Sequence, residues 1–281
     1  TYGPVSDAAE QDGSRNNAAP VGTALLLRAY RSPQPVAAWA QSQYEEVARE
    51  LAGLHALYWG KTDELEKHDW LRRSSDDFSR FKEGAHSSWR GLWSQERLAA
   101  VFDAPVISRI ERALEELTSQ STTSAPAAPE STAETTSVRK SDRRSACQSA
   151  FDASRSFGLP LTLCHGDAHH ENLLVRDDGA LVWSDWQEVG IGYGPDDVSF
   201  FCQRAVAAGG KVAWAAMLRA YHAALERRTG ETIDLSALRR RAAFYEATTR
   251  LYHWPAYLQQ APESVVRAHV SRVMDLLSEL D

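Results

Sequence analysis

A short apolar run that stops at a polar loop constrains the fold of this chain more than any other feature. Residues 159–164 (Leu-Pro-Leu-Thr-Leu-Cys) have the composition of a short buried strand, and a glycine, Gly166, follows directly after His165. Beyond that glycine the loop carries a carboxylate, Asp167, and an amide, Asn172. The pattern therefore predicts a strand whose end presents polar side chains from a loop.

A β-hairpin is predicted immediately after this loop. Residues 172–175 and 180–186 are apolar at most positions, and Arg176-Asp-Asp-Gly179 separates them. Asp-Gly is a strong turn signal between two strands. The second strand of the hairpin carries Asp185, so we expect this carboxylate to return to the neighbourhood of Asp167.

Three oxygen-bearing side chains that converge at strand ends suit a hard divalent cation together with a general base. Asp167, Asn172 and Asp185 form such a set. A single Asp or Asn near a strand end is usually a turn or cap residue. Here the sequence His165-Gly-Asp, an Asn five residues after that Asp, and Asp-Trp after a hairpin occur in one order. This combination favours a functional site.

The composition limits the partners. The 281 residues carry a formal net charge of −7, which gives no basic surface for nucleic acid. The three cysteines are odd in number and widely spaced, which is typical of a reducing compartment. The chain has no apolar run of about 20 residues and no signal-peptide character at its first residue. We therefore expect a cytoplasmic protein without a membrane or nucleic-acid partner. The sequence carries no signal for an oligomeric state.

The rest of the chain is mainly helical in its periodicity. Residues 23–30 have the pattern of a strand, and residues 190–197 have that of a glycine-rich turn. Residues 118–145 are rich in Ser, Thr, Ala and Pro and are predicted to be a disordered insertion. Asp103 is a predicted helix N-cap. The predicted helices are residues 36–58, 89–102, 104–117, 146–157, 198–208, 211–228, 235–254 and 263–280.

The polar loop carries a family resemblance. His165-Gly-Asp167, Asn172 and Ser184-Asp-Trp186 resemble the motifs of the aminoglycoside phosphotransferase and choline kinase-like branch of the protein-kinase-like fold. Protein kinases carry a related loop followed by a metal-binding Asp-Phe-Gly. The resemblance continues through Gly194-Pro-Asp-Asp-Val198 and takes in the helix that ends near His55.

This resemblance implies a role for each matching residue. Asp167 would orient and deprotonate a substrate hydroxyl. Asn172 and Asp185 would hold Mg²⁺ against the phosphates of ATP. His165 would buttress the loop, and Asp197 would support it from below.

The resemblance also implies the domain organisation. Residues 1–31 would be a remnant of the N-terminal lobe and hinge, with the backbone of Arg28, Ala29 and Tyr30 near adenine. Residues 32–281 would be the helical C-terminal lobe. The sequence offers no glycine-rich loop or strand lysine ahead of residue 23. The predicted fold class is thus α+β and mostly helical: a kinase-like C-terminal lobe with a short hairpin at the catalytic loop and most of the N-terminal sheet lobe missing.

Three functions are compatible with these residues. The first is ATP-dependent transfer of the γ-phosphate to a hydroxyl of an aminoglycoside- or choline-like small molecule, by a chain that we expect to be truncated. The second is a catalytically impaired, pseudokinase-like binding module. The third is a metallohydrolase that uses His165, Asp167, His169 and His170.

A substrate pocket is harder to predict. The resemblance puts the substrate against the C-terminal helices. Aromatic and charged residues at helical spacing there could line it, although such residues more often pack in a core. The candidates are Tyr245, Glu246, Arg250, Tyr252 and Trp254.

Overall fold

The computed structural model describes residues 30–119 and 157–280, without the side chains of residues 74–83 and 117–119. No helix within these ranges is long and apolar enough to cross a bilayer. The helices are α1 (Gln41–Leu57), α2 (Thr62–Leu65), α3 (Ser74–Trp93), α4 (Ala104–Ser119), α5 (Gly194–Ala207), α6 (Trp214–Thr229), α7 (Leu235–Tyr252), α8 (Trp254–Tyr257) and α9 (Glu263–Leu280). The strands are β1 (Arg72–Arg73), β2 (Thr162–Cys164), β3 (Leu173–Val175), β4 (Leu181–Trp183) and β5 (Gly190–Gly192).

Two small sheets flank the polar loop. β5 lies at the centre of the first sheet, antiparallel to β2 and parallel to β1. β3 and β4 form the predicted antiparallel hairpin, in which Leu174 pairs with Val182. The loop thus leaves one sheet at Cys164 and enters the other at Leu173. The predicted α+β, mostly helical fold class is confirmed, whereas the predicted absence of an N-terminal lobe stays a prediction.

The larger hydrophobic core lies beneath the loop. On α1, Tyr44, Val47 and Leu51 are fully buried, and their three- and four-residue spacing puts them on one face of the helix. This face packs against α6, and α5 and the start of α7 contribute to the same core. Leu173, the first residue of β3, is also fully buried in it. The loop is therefore anchored on a packed helical base.

A second core lies between α3, α4, α7 and α9. Trp89 is fully buried there, and its indole N–H donates a hydrogen bond to the carbonyl of Leu251 at 2.8 Å. Ile110 and Leu114 of α4 pack into the same cluster. The cluster is built from the C-terminal half of the chain and from helices that precede residue 120.

The first predicted helix begins later than its pattern indicates. The helix predicted over 36–58 starts at Gln41, and a separate 3₁₀ turn covers Val36–Ala38. The side chain of Gln43 accepts the backbone N–H of Ala40 at 3.0 Å, which satisfies a donor at the helix start. Gly60 follows the helix with a φ of +71°, a conformation that glycine adopts readily after a helix end.

The helix predicted over 89–102 is confirmed up to Trp93 and wrong beyond it. α3 ends at Trp93, because the side chain of Gln95 reaches back to the carbonyl of Gly91 at 3.0 Å and to the carbonyl of Gln259 at 3.2 Å. The apolar residues on both sides of this break enter the same core, so the sequence period continues through it. Asp103 caps α4 as predicted, because its carboxylate accepts the N–H of Val106 at 2.9 Å.

The glycine-rich turn predicted over 190–197 is also wrong, since residues 190–192 form β5. A Cβ atom at Gly190 would collide with the carbonyl of Arg72 on β1, so the absent side chain permits the close strand pairing. α5 then starts at Gly194, four residues earlier than predicted. The helices predicted over 211–228, 235–254 and 263–280 are confirmed to within a few residues.

Some predictions fall outside the described residues. Arg28, Ala29 and the remainder of the predicted strand before Tyr30 are among them. So are the helix predicted over 146–157, apart from Phe157, and the insertion predicted over 118–145, apart from its first two residues. Those two residues, Thr118 and Ser119, end α4. Of residues 1–31, which were assigned to a lobe remnant, the structure describes only Tyr30 and Arg31.

Candidate active site

The polar loop turns sharply directly after β2. Gly166 has a φ of +81°, a conformation that favours glycine. A Cβ atom at this position would collide with the carbonyl of Glu188. Glycine thus lets the loop lie against the 3₁₀ turn Trp186–Glu188, which follows the hairpin.

A buried carboxylate on α5 holds the start of the loop. Asp197 is 3% exposed, and its Oδ2 accepts the backbone N–H of His165 at 2.7 Å. Its Oδ1 accepts the backbone N–H of Gly166 at 3.1 Å. Asp197 lies in the first turn of α5, where the helix dipole favours a negative charge. The structure places this residue beneath the loop, where the resemblance put it.

Asp197 is itself held by two buried side chains from other helices. The Nε2 of His55 on α1 lies 3.1 Å from its Oδ2, and the Nδ1 of His55 lies 2.9 Å from the hydroxyl of Tyr221 on α6. Burial raises the pKa of Tyr221 well above its usual value, so the hydroxyl keeps its proton. A carboxylate only accepts, so His55 donates to Asp197 from Nε2. A Cβ atom at Gly194 would collide with the hydroxyl of Tyr221 and the ring of His55.

His165 connects the loop to the hairpin. Its ring is fully buried between Trp183 and Trp186, at centroid distances of 5.1 and 4.7 Å. Its Nε2 lies 2.9 Å from the carbonyl of Ser184, and its Nδ1 accepts the N–H of Asp167 at 3.3 Å. The proton is therefore on Nε2. His165 fixes the backbone on both sides of the loop, which is a buttressing geometry.

Asp167 and Asn172 face each other across the loop. The Asn172 amide nitrogen donates to the backbone carbonyl of Asp167 at 2.9 Å and to its carboxylate Oδ2 at 3.1 Å. The Nε2 of His169 lies 3.3 Å from the same Oδ2. The hydrogen bond from His169 holds the pKa of Asp167 below its usual value, despite the opposing effect of partial burial, and the bond from Asn172 adds to the lowering. Asp167 is thus an ionised carboxylate at neutral pH.

Asp185 lies at the exit of the hairpin, directly after Ser184. It is exposed, and its backbone is left-handed, with φ 59° and ψ 64°. Asp tolerates this conformation better than most residues, yet it remains a strained position of the kind found at functional sites. Its neighbour Ser184 donates to the carbonyl of Asn172 from both its N–H and its hydroxyl, at 2.9 and 3.0 Å. The predicted loop and hairpin residues are thus brought together.

The metallohydrolase alternative does not fit this geometry. Both ring nitrogens of His165 are engaged in hydrogen bonds, and those of His169 face Asp167 and the N–H of Glu171. A metal site needs several His, Cys, Asp or Glu side chains close together. Among the described residues, one such group has its ligand atoms within 4.8 Å of one another, and it consists of His55, Cys164 and Asp197. In this group the histidine already bonds Tyr221 and Asp197, and burial raises the pKa of the Cys164 thiol well above its usual value.

The segment after the predicted hinge joins the hairpin. Arg31 exchanges both backbone hydrogen bonds with Val175 on β3, at 3.1 and 2.8 Å. Tyr30, directly before it, is 37% exposed. An open cavity of about 360 Å³ lies beside this junction and is lined by Arg31, Ser32, Pro33, Gln34, Trp39, Gln43, Glu46, Val175, Gly179 and Leu181. It is separate from Asp167 and Asn172, which do not line it.

Two of the five residues proposed to line a substrate pocket are buried in the protein interior. Glu246 is 1% exposed, and its carboxylate accepts hydrogen bonds from Arg250 at 2.8 Å and from Arg272 at 2.7 Å. Tyr252 is buried, and its hydroxyl donates to a backbone carbonyl of α4. Trp254 donates to the side chain of Gln203 at 3.0 Å. Glu246 and Tyr252 are therefore core-packing residues, as residues at helical spacing more often are.

Sequence reasoning did not identify the interactions that His55, Tyr221 and His169 make at this site. His55 carried a weak signal as part of the helix within the resemblance, and His169 as a neighbour of Asp167. Tyr221 carried none, because its role depends on contacts between α6 and two distant segments.

No protein family model matches the sequence, and no curated protein matches it. Several solved structures are similar in overall structure, all with low sequence identity. A choline kinase from Cryptosporidium parvum Iowa II has a TM-score of 0.45 and 10% identity, over 90% of this chain and 68% of that one. An aminoglycoside-3'-phosphotransferase of type VIII has a TM-score of 0.42 and 19% identity, over 80% of this chain and 67% of that one. The GDP complex of aminoglycoside 2'-phosphotransferase-IIIa has a TM-score of 0.38 and 12% identity, over 87% of this chain and 64% of that one.

Proposed function

We propose that this chain is an ATP-dependent phosphotransferase that transfers the γ-phosphate to a hydroxyl of a small molecule. The observation that carries the proposal is the arrangement of three side chains. The carboxylate of Asp167 and the amide of Asn172 are hydrogen-bonded to each other, and Asp185 follows the serine that is bonded to the backbone of Asn172. Phosphoryl transfer needs few other chemical groups, because it relies on positioning and charge neutralisation.

The donor atoms at this site fit Mg²⁺. The Asn172 amide nitrogen is directed at Asp167, so the amide oxygen is the atom that can face a cation. Asp185 adds an exposed carboxylate from the hairpin exit. Mg²⁺ in nucleotide sites is bound through one or two carboxylates together with substrate phosphates. When bound, the ion would neutralise charge on the phosphates.

Asp167 would serve as the base. Its lowered pKa keeps the carboxylate ionised at neutral pH, so it can accept the proton of a substrate hydroxyl. The hydroxyl oxygen then bonds to the γ-phosphorus while the bond from that phosphorus to the bridging oxygen breaks. The electron pair of the broken bond leaves with ADP. Asp197 accepts the backbone N–H of His165, and the His165 ring accepts that of Asp167. Both side chains would therefore keep the loop backbone in place during transfer.

The nucleotide base would lie near the predicted hinge. We assign Arg28, Ala29 and Tyr30 to this part of the proposal, with backbone groups directed at adenine. Support comes from the neighbouring Arg31, whose backbone pairs with Val175, about 10 Å along β3 from Asn172. A cytoplasmic location belongs to the same proposal, and the free, buried cysteines Cys164 and Cys202 support it.

The test is a transfer assay with the purified chain, magnesium, ATP and panels of aminoglycosides and of choline-like amino alcohols. Calorimetry measures binding of magnesium-ATP in parallel. We expect ADP to form only with a hydroxylated acceptor, and Asp167→Asn to abolish its formation. Binding of magnesium-ATP without transfer to any acceptor would identify the pseudokinase-like binding module instead. A chain that does not bind nucleotide at millimolar concentration would exclude the phosphotransferase and leave the binding module.

A further inference from the structure

The two carboxylate oxygens of Asp167 have different surroundings. Oδ2 receives the amide nitrogen of Asn172 at 3.1 Å and lies 3.3 Å from Nε2 of His169. Within residues 30–119 and 157–280, no hydrogen bond is directed at Oδ1. The carboxylate is thus fixed through one oxygen, which leaves the other to face an acceptor hydroxyl.

The ring of His169 is in the tautomer that this contact requires. Its Nδ1 accepts the backbone N–H of Glu171 at 3.3 Å, so the ring proton is on Nε2 and points at Asp167. The carboxylate of Glu171 lies 3.4 Å from the same Nδ1, but it is paired with Arg204 at 2.9 Å. The side chain of His169 is only 12% exposed, which limits its freedom to turn away.

One face of α5 holds the loop at both of its ends. Asp197 accepts the backbone N–H groups at the start of the loop. One turn further along α5, Phe200 packs edge to face against the ring of His169, with centroids 6.4 Å apart. Another turn along, Arg204 binds Glu171. Positions 197, 200 and 204 lie on one side of a helix, so a single rigid element orients both the loop backbone and the His169 ring.

We infer that His169 is a positioning residue for the candidate base: it holds Oδ2 of Asp167 so that Oδ1 faces the acceptor hydroxyl. The inference rests on the proposed phosphotransfer function. His169 does not touch the reacting atoms in this arrangement and acts through Asp167. Loss of its donor would let the carboxylate rotate, so the chemical step would slow while substrate binding stayed the same.

The first experiment compares three variants in the transfer assay. His169→Leu removes the donor and keeps an apolar side chain, whereas His169→Gln keeps an N–H donor near the position of Nε2. His170→Gln is the matched control, because His170 is the next histidine in the same loop and makes no hydrogen bond or ion pair with Asp167. For each variant, kcat, KM for both substrates and the melting temperature are measured.

We expect kcat to fall about tenfold to a hundredfold in His169→Leu, with KM and melting temperature nearly unchanged. His169→Gln should recover most of that loss, and His170→Gln should keep kcat within about threefold of the parent. The inference is overturned if His169→Leu retains its kcat, if the two histidine positions are equally sensitive, or if only KM rises.

A second measurement does not depend on turnover. Long-range nitrogen–proton correlation spectra of the histidine rings report which ring nitrogen carries the proton. We expect His169 with its proton on Nε2, and we expect Asp167→Ala to shift the ring signals of His169 but not those of His222 on α6. If the chain gives this NMR result but shows no transfer activity, the contact between His169 and Asp167 is supported and only the proposed phosphotransferase function is rejected. A proton on Nδ1, or ring signals that ignore Asp167→Ala, would contradict the positioning contact itself.

Discussion

Asp197 and Glu246 are both buried carboxylates, but they are satisfied in opposite ways. Asp197 accepts two backbone N–H groups of the loop and a hydrogen bond from one histidine, His55. Glu246 instead binds two guanidinium groups, those of Arg250 and Arg272, between α7 and α9. The first arrangement fixes the shape of a loop, and the second joins two helices. Burial of an acid therefore does not by itself identify a functional site, whereas the nature of its partners does.

The largest expected effect on stability is at Glu246. In Glu246→Ala, two guanidinium groups lose the carboxylate that also raises the pKa of Arg272, and one of them is largely buried. Because Arg272 is partly exposed to water, we expect the free energy of unfolding to fall by about 3 kcal/mol, at the lower end for a broken buried ion pair. Urea denaturation measures this change.

The control for this prediction is an exposed ion pair of the same type. Glu263 binds Arg267 on the surface of α9, and both side chains are about half exposed. Glu263→Ala should cost less than about 1 kcal/mol. Equal losses in the two variants would show that the buried cluster does not join the helices as described.

In contrast to Glu246→Ala, Asp197→Asn should reduce transfer activity more than it reduces stability. An asparagine offers one acceptor oxygen where the carboxylate offers two, so either a loop N–H or His55 loses its partner. We expect transfer to fall about a hundredfold, which corresponds to about 3 kcal/mol, and the free energy of unfolding to fall by about 2 kcal/mol. Activity per folded molecule, compared with Glu246→Ala, tests the contrast. Full activity in Asp197→Asn would contradict it.

The pH dependence of stability should come partly from His269, next to the Glu246 cluster. Burial, and secondarily the charge of Arg250, lowers the pKa of His269 to about 3. A histidine whose pKa is lower in the folded than in the unfolded state contributes stability that is complete above about pH 6.5 and is lost as the pH falls. This group should remove about 2 kcal/mol between pH 8 and pH 5. His269→Gln should flatten that part of the curve in denaturation measured across the range, and an unchanged slope would contradict the assignment.

The smallest effect is expected from a single hydroxyl. Tyr221→Phe leaves Nδ1 of His55 without its hydrogen-bond partner and should cost about 1 kcal/mol of stability. It should also reduce transfer several-fold, because His55 supports Asp197. Tyr252→Phe is the matched change in the second core, where the hydroxyl donates to the carbonyl of Leu114 at 3.2 Å. That variant should lose similar stability and no activity. An equal loss of activity in both would argue against a support role for Tyr221.

Features that depend on neighbouring residues were predictable from the sequence. The Asp-Gly turn predicted the hairpin, and Asp103 predicted the cap of α4. Features that depend on distant contacts were not. The break after Trp93 uses a carbonyl of Gln259, and β5 forms because Gly190 lies against Arg72. Apolar periodicity reports which residues are buried and does not report whether the backbone between them stays helical.

The same distinction applies to the site. Asp167, Asn172 and Asp185 lie within 20 residues of one another, and their order in the sequence was enough to predict that the polar loop and the hairpin exit come together. The support behind them joins three helices through His55, Tyr221 and Asp197. Only the folded chain brings these residues together, so no pattern within one segment could indicate their contact.

The central claim is that Asp167 is the base of a phosphotransferase. The most direct measurement uses phosphorus NMR to detect a phosphorylated acceptor. The parent chain and Asp167→Asn are each incubated with magnesium-ATP and the acceptor panel. The account predicts a phosphate ester with at least one hydroxylated acceptor in the parent chain, and none in a folded Asp167→Asn variant that still binds magnesium-ATP. Equal product formation by the two proteins would contradict it.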